Sequence, residues 1–278
     1  MYSRTLIWVS SCFLFLLANA ALAGSTHAVP ATLTFGIVPQ QASAKLARLW
    51  IPIIQDISDK TGYPIQFKTA PNIPEFERRL AKGEYDLAYM NPYHYLVFSK
   101  SPGYRAFAKQ KGKKIVGILV TSKSDPVTSL RELEGKTLAF PSPSAFAASI
   151  LPRAFLRKEG ISFQVKYVSS HDSVYHNVSR GLFPAGGGII RTLKNSSANI
   201  QDKLAILWQS PGYTPHAFAA HPRVPQDVIQ RVQETMVNMD QSAKGQELLG
   251  AIKFKGIEAS VPGDWDDIRE LVFTSSIK

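Results

Sequence analysis

The chain has 278 residues, 45% hydrophobic and 10% aromatic, and carries 32 Lys and Arg against 21 Asp and Glu, a net charge of +11. That composition excludes a disordered chain and provides a core for one large domain or two ordinary lobes. With a single cysteine, Cys12, no disulfide framework can form. The basic excess suits anionic small molecules, anionic lipid head groups or nucleic acid, and an ordinary solvated basic surface is the plainer reading.

Residues 1–23 read as a Sec-type signal peptide. Arg4 is the lone positive charge, residues 7–17 form an apolar run, and two small-residue cleavage sites follow, Ala18-Asn19-Ala20 and Ala21-Leu22-Ala23. The run is too short to span a bilayer. Val9-Ser10-Ser11 before Cys12 gives no lipobox, so the expected product is a soluble periplasmic protein without cysteine.

Residues 33–38 alternate and end in Pro39-Gln40-Gln41, the pattern of a strand entering a site-forming turn. Leu46, Leu49, Trp50, Ile53, Ile54 and Ile57 recur at helical spacing, with Pro52 as a kink. A strand is predicted at 65–69, then a short helix that Pro74 opens and Gly83 closes, then a strand at 86–90 running into Asn91-Pro92-Tyr93. Strand–helix alternation of this kind predicts an α/β fold on a mostly parallel sheet.

A long apolar strand follows at 114–121, and Ser124-Asp125-Pro126 marks a crossover into a second series. That series has a strand at 138–140, a helix at 146–158, a strand at 165–168 and a helix at 172–180. Gly186-Gly187-Gly188 then precedes a helix beginning near Ile189, and a buried strand covers 204–208. Ser210-Pro211-Gly212 marks the return crossover. From Pro225 the tail is helical, and Trp265 and Leu271 belong to a final helix packed on the first half.

Two series joined by two crossovers imply two lobes and a cleft, with 31–119 plus 212–278 as one lobe and 120–211 as the other. Ligands of parallel sheets sit beyond the carboxyl ends of the strands. The candidate ligand-binding residues there are Gln40, Gln41, Asn91, Tyr93, Ser142, Ser144, His171, Tyr175, Gly187, Gly188, Arg191 and Tyr213. The glycine triplet has two readings, a backbone-amide nest for an anion with Arg191 behind it, or close packing where no side chain fits. Tyr93 is placed in the cleft, Tyr175 faces it from the second lobe, and Tyr213 flanks it from the hinge.

His171/His176 and His216/His221 are five residues apart, which does not align two imidazoles on one helix face, so no metal is expected. No G-x-S-x-G elbow, nucleophile–base pair or phosphate loop is present, and no catalysis or cofactor is expected. Lys109 to Lys114 lacks interleaved aromatics, which argues against nucleic acid.

Several motifs together look familiar. Phe35-Gly36-Ile37-Val38-Pro39, Gly83-Glu84-Tyr85-Asp86-Leu87-Ala88-Tyr89, Ser170-His171-Asp172-Ser173 and Leu207-Trp208-Gln209-Ser210-Pro211 occur in the order found in the periplasmic phosphate/phosphonate-binding proteins of ABC importers, which the chain resembles over residues 32–272. The resemblance implies a two-lobed type 2 periplasmic-binding-protein fold with a two-stranded hinge. It also implies closure around a small ligand and docking on an inner-membrane permease, as a monomer. A sensing module that signals to a membrane receptor or kinase is the alternative.

The ligand site departs from the family pattern. Ala145-Phe146-Ala147-Ala148 replaces a Ser-Thr-Ser-Gly-like helix start, Ile73 and Met90 stand for tyrosines, and Phe183-Pro184 replaces a Val-Asp strand end. His171 alone matches a family contact, so phosphonate and phosphate are expected to bind poorly.

Overall fold

The computed structural model describes residues 32–274, with the side chains of the last three left aside, so the expected signal peptide lies outside the described residues. The first stretch runs β1 (Leu33–Ile37), α1 (Ser43–Thr61), β2 (Ile65–Lys68), α2 (Ile73–Ala81), β3 (Leu87–Met90), α3 (Pro92–Phe98) and β4 (Arg105–Gln110). The middle runs β5 (Gly117–Ser122), β6 (Thr137–Phe140), a π-helical turn at Phe146–Ile150 continuing into α4 (Leu151–Lys158), and β7 (Gln164–Tyr167). It goes on through α5 (His171–Ser179), β8 (Ala185–Ile189), α6 (Ile190–Lys194), α7 (Ala198–Lys203) and β9 (Leu204–Gln209). The chain then returns through β10 (Ala217–Ala220), α8 (Gln226–Val237), α9 (Ala243–Ala251), β11 (Ile257–Ala259) and α10 (Asp266–Thr274).

These strands form two mixed sheets, ordered β11-β4-β10-β3-β1-β2 and β7-β6-β8-β5-β9. Parallel pairing is confined to β2-β1-β3 and β7-β6-β8, a smaller share than the strand–helix alternation implied. The remaining strands are antiparallel because β4 leads out to β5 in the other sheet and β9 leads back to β10.

Local sequence chemistry places the elements that carry the site. One face of α1 buries Leu46, Trp50, Ile53, Ile54 and Ile57, and Gly62 ends the helix at φ +75° with its N–H donating to Ser58 O. Asn72 caps α2 by accepting from Glu75 N, Asn91 caps α3 from His94 N at 2.8 Å, and Ser170 caps α5 from Ser173 N. Two of these caps lie at the junction between the sheets, Asn91 after β3 of the first sheet and Ser170 after β7 of the second.

The first passage between sheets differs from expectation. All of β5 lies in the second sheet, so the chain crosses between Gln110 and Gly117, not at Ser124-Asp125-Pro126. The reason is a contact remote in sequence: Ile115 and Tyr213 form an isolated antiparallel bridge, with Ile115 N donating to Tyr213 O at 2.7 Å and Tyr213 N to Ile115 O at 3.0 Å. Two adjacent crossing strands result. Trp265 anchors the C-terminal segment beside them, its indole N–H donating to Pro215 O at 2.8 Å and its ring 4.8 Å from Tyr95.

Candidate functional site

The loops after β1, β3, β6, β7 and β8 converge between the two sheets. Six side-chain or backbone bonds join the two halves in this region. His171 N donates to Gln40 O at 3.0 Å, and Asp172 accepts from Gln41 Nε2 at 3.2 Å and Ala42 N at 3.3 Å. Asn91 Nδ2 donates to Ser144 O at 3.1 Å, Arg191 Nη2 to Gln40 Oε1 at 2.5 Å, and Lys45 Nζ to Asn195 O. The apolar core of the first sheet continues across this junction to Phe146, Ala147, Ala148 and Ile189. The halves are closed, and the cavity left between them is about 10 Å³, the volume of about one water.

Gln40, Asn91, His171 and His216 are its polar lining, set among Ile73, Ile115, Phe146 and Ile189. Ala145, Ala147 and Ala148 also face it, so the π-turn presents first-turn amides to the cavity and no side-chain hydroxyl. His171 Nδ1 lies 2.9 Å from Thr192 Oγ1, which is 2.7 Å from the Tyr175 hydroxyl. His216 stacks on Tyr89 with centroids 4.9 Å apart, and its buried Nε2 has no partner among the described residues.

Burial, and secondly the Arg191 charge, push the His171 imidazole down to about 3, and the same two causes push His216 well below the usual histidine range. Both rings are therefore neutral in the folded protein at ordinary pH. The unfolded chain takes up these protons near pH 6.5, where the folded one does not, so stability is full above that value and falls as pH drops toward 3. Between pH 7 and pH 5 the expected loss from His171 is on the order of 2 kcal/mol, at about 1.4 kcal/mol per pH unit below the unfolded value, and His216 adds to it in the same direction. Urea unfolding at the two pH values measures it, and His171→Asn should make the slope shallower; a flat profile would contradict the buried neutral rings.

The other sequence-derived candidates divide by position. Gln40, Asn91 and His171 line the cavity, while Gln41, Arg191 and the Ser144 backbone make the bonds across it. Ser142 is buried in a turn, its hydroxyl accepting from Ser144 N at 3.3 Å. Tyr93 and Tyr213 stand apart from the cavity; they line an open groove of about 1200 Å³ on one flank, with Arg153, Phe155 and Trp208.

Two expectations are corrected. Tyr175 does not face the cleft: its hydroxyl turns inward to the Ile189 backbone and Thr192, because Gly188 leaves room for its ring. Gly187 and Gly188 form no nest at a helix start. They lie in β8, where a Cβ at 187 would overlap the Ala148 carbonyl oxygen and one at 188 the Tyr175 ring, so close packing explains the triplet. Sequence reasoning also missed His216, Thr192 and Phe146 as parts of the site. Only the place of His216, just after the return crossover, could have signalled its role.

Comparison with known proteins adds a family. The family described as the periplasmic substrate-binding protein of phosphonate ABC transporters matches residues 35–265. The phosphate-import protein PhnD of Mycolicibacterium smegmatis is 22% identical over 250 residues, covering 78% of this chain and 74% of that protein. Two solved structures superpose at low identity. A binding-protein component of a phosphonate ABC transporter from Pseudomonas aeruginosa matches at TM-score 0.81 and 16% identity, over 86% of this chain and 85% of the other. PhnD1 of Prochlorococcus marinus, in complex with methylphosphonate, matches at TM-score 0.79 and 16% identity, over 88% and 98% of the two chains.

Proposed function

The chain belongs to the family of periplasmic substrate-binding proteins of phosphonate ABC transporters, and from that premise we propose that it captures a small phosphonate- or phosphate-type anion between its two lobes and presents the closed form to an inner-membrane permease. The observation that carries this reading is the convergence of Gln40, Asn91, His171 and His216 from both halves on one cavity, with Arg191 bonded across it. Neutral imidazoles and amides can donate to a phosphoryl oxygen, and the helix start adds backbone N–H groups and a positive end. In this reading the ligand is held and released unchanged, as in the binding component of an importer.

We divide the chain into one lobe of about 32–110 with 217–274 and another of about 117–209, with the segments around Ile115 and Tyr213 as hinge. A cavity the size of one water cannot admit a phosphonate, so the lobes must part for entry and close behind it. Residues 1–23 direct export, and the protein acts as a monomer. The sensing alternative is not favoured, because the family matched is the binding component of an importer.

Missing side-chain hydroxyls at residues 145–148 set the strength of binding. Each lost hydrogen bond is worth about 1 kcal/mol, so three together weaken phosphonate or phosphate by roughly 100-fold relative to hydroxyl-bearing sites. Calorimetry with methylphosphonate and orthophosphate should show saturable one-site binding without product, weakened ~10-fold by His171→Ala. Solution scattering should show compaction on addition of the ligand. Absence of both heat and compaction with either anion would overturn the reading.

A further inference from the structure

On the flank of the hinge away from Tyr93 and Trp208, a second recess of about 450 Å³ opens, within the range of small-molecule sites. Six cationic residues line it, Lys113, Lys114, Arg191, Lys194, Lys253 and Lys255, and no carboxylate does. Only Lys114 has an acidic partner, Asp267 at 3.6 Å, and the other four lysines have none among the described residues. Nearby Lys111, by contrast, is paired with Asp240 at 2.9 Å.

An even scatter of 32 basic and 21 acidic residues would put carboxylates among six cations. Phe254 forms the floor, with the Arg191 guanidinium 5.7 Å above its ring. The wall includes His216, 2% exposed, which lines both this recess and the interlobe cavity and whose Nε2 has no hydrogen-bond partner among the described residues. A buried polar ring nitrogen left unpaired where the two spaces meet adds to that sign of a ligand.

We propose that this recess is a second ligand site, for a small polyanion with at least two phosphate-type groups. The lysines meet its charges as donors, and Arg191 and His216 take the innermost oxygens. The recess is distinct from the interlobe cavity in volume and charge. Lys253 and Lys255 follow α9 on the first sheet's side, whereas Arg191 and Lys194 belong to α6 on the second's. An occupant touching both favours the closed arrangement and shifts the population toward it.

Inorganic tripolyphosphate titrated into the full mature chain at low ionic strength tests this by calorimetry. Saturable one-site binding is expected, weakened at least about tenfold by Lys253→Gln with Lys255→Gln. Lys136→Gln with Lys166→Gln removes the same charge from exposed positions beside β6 and in β7 and should change the affinity less than about twofold. His171→Ala, which weakens methylphosphonate in the cleft, should leave tripolyphosphate unchanged. Equal loss in both lysine pairs, no saturable heat, or loss in His171→Ala would each overturn the second site.

Discussion

Gly187→Val is expected to lower the melting temperature by about 10 °C and to abolish ligand binding with it. β8 lies between β6 and β5 in the second sheet, and Gly187 packs directly on the π-turn that forms one wall of the cavity. A Cβ there would overlap the Ala148 carbonyl oxygen and stand 2.7 Å from Phe140 Cδ1, both in the packed interior. Overpacking costs about 1–3 kcal/mol where side chains can yield, and here backbone must move, so the cost sits at or above the upper figure. At roughly 2–4 °C per kcal/mol for a chain of this size, ~10 °C follows. Gly250→Ala is the contrast: this exposed glycine lies within α9 with nothing within 4 Å of an added Cβ, and alanine should stabilise by about 0.5–1 kcal/mol. Calorimetric melts of the two variants decide the matter. A Gly187→Val protein that melts with the parent would show that the π-turn is not held by β8.

Arg191→Ala is expected to weaken methylphosphonate by about 100-fold. The guanidinium is half-buried, joins α6 to Gln40 at 2.5 Å, and lowers the proton affinity of both cleft histidines. It is thus a bond between the halves and a source of positive potential at the cavity. Hydrogen bonds to charged groups contribute about 1.5–3 kcal/mol, which is roughly 10- to 150-fold in affinity. Arg191→Lys keeps the charge but loses the planar fork, so partial recovery is expected. An independent readout accompanies the affinity: without the guanidinium the His171 and His216 rings titrate at higher pH, which NMR of the imidazole protons would follow. Unchanged affinity in Arg191→Ala would remove this residue from the site.

Closure connects these results. Six cross-cleft hydrogen bonds and a shared apolar core hold the halves together around almost no free volume. A ligand that enters must replace part of that seam with its own contacts, so its affinity reports the difference between the two closed arrangements. Weak intrinsic binding is expected from the alanine-rich turn, and variants that loosen the seam without touching His171 or Arg191 should bind faster.

Local chemistry in the chain determined the α/β class, the helices α1, α2, α4, α5 and α8, and the loops that carry Gln40, Asn91 and His171. Periodicity, Asn and Ser caps and helix-ending glycines act within a few residues, so one sequence suffices to read them. Strands β4, β10 and β11 left no such mark. β10 is four residues buried on both faces, with no alternation to detect, and β11 has only three residues. Tertiary structure alone decided where the chain crosses between sheets, because that depends on Ile115 meeting Tyr213 across nearly a hundred residues of intervening chain. It also turned the glycine triplet from a possible anion loop into a strand, since what excludes a side chain at 187 is the carbonyl of Ala148. His216, the groups around Arg191 and the cationic recess belong to the same class: they are contacts between distant segments, and a linear pattern holds no record of which segments will touch.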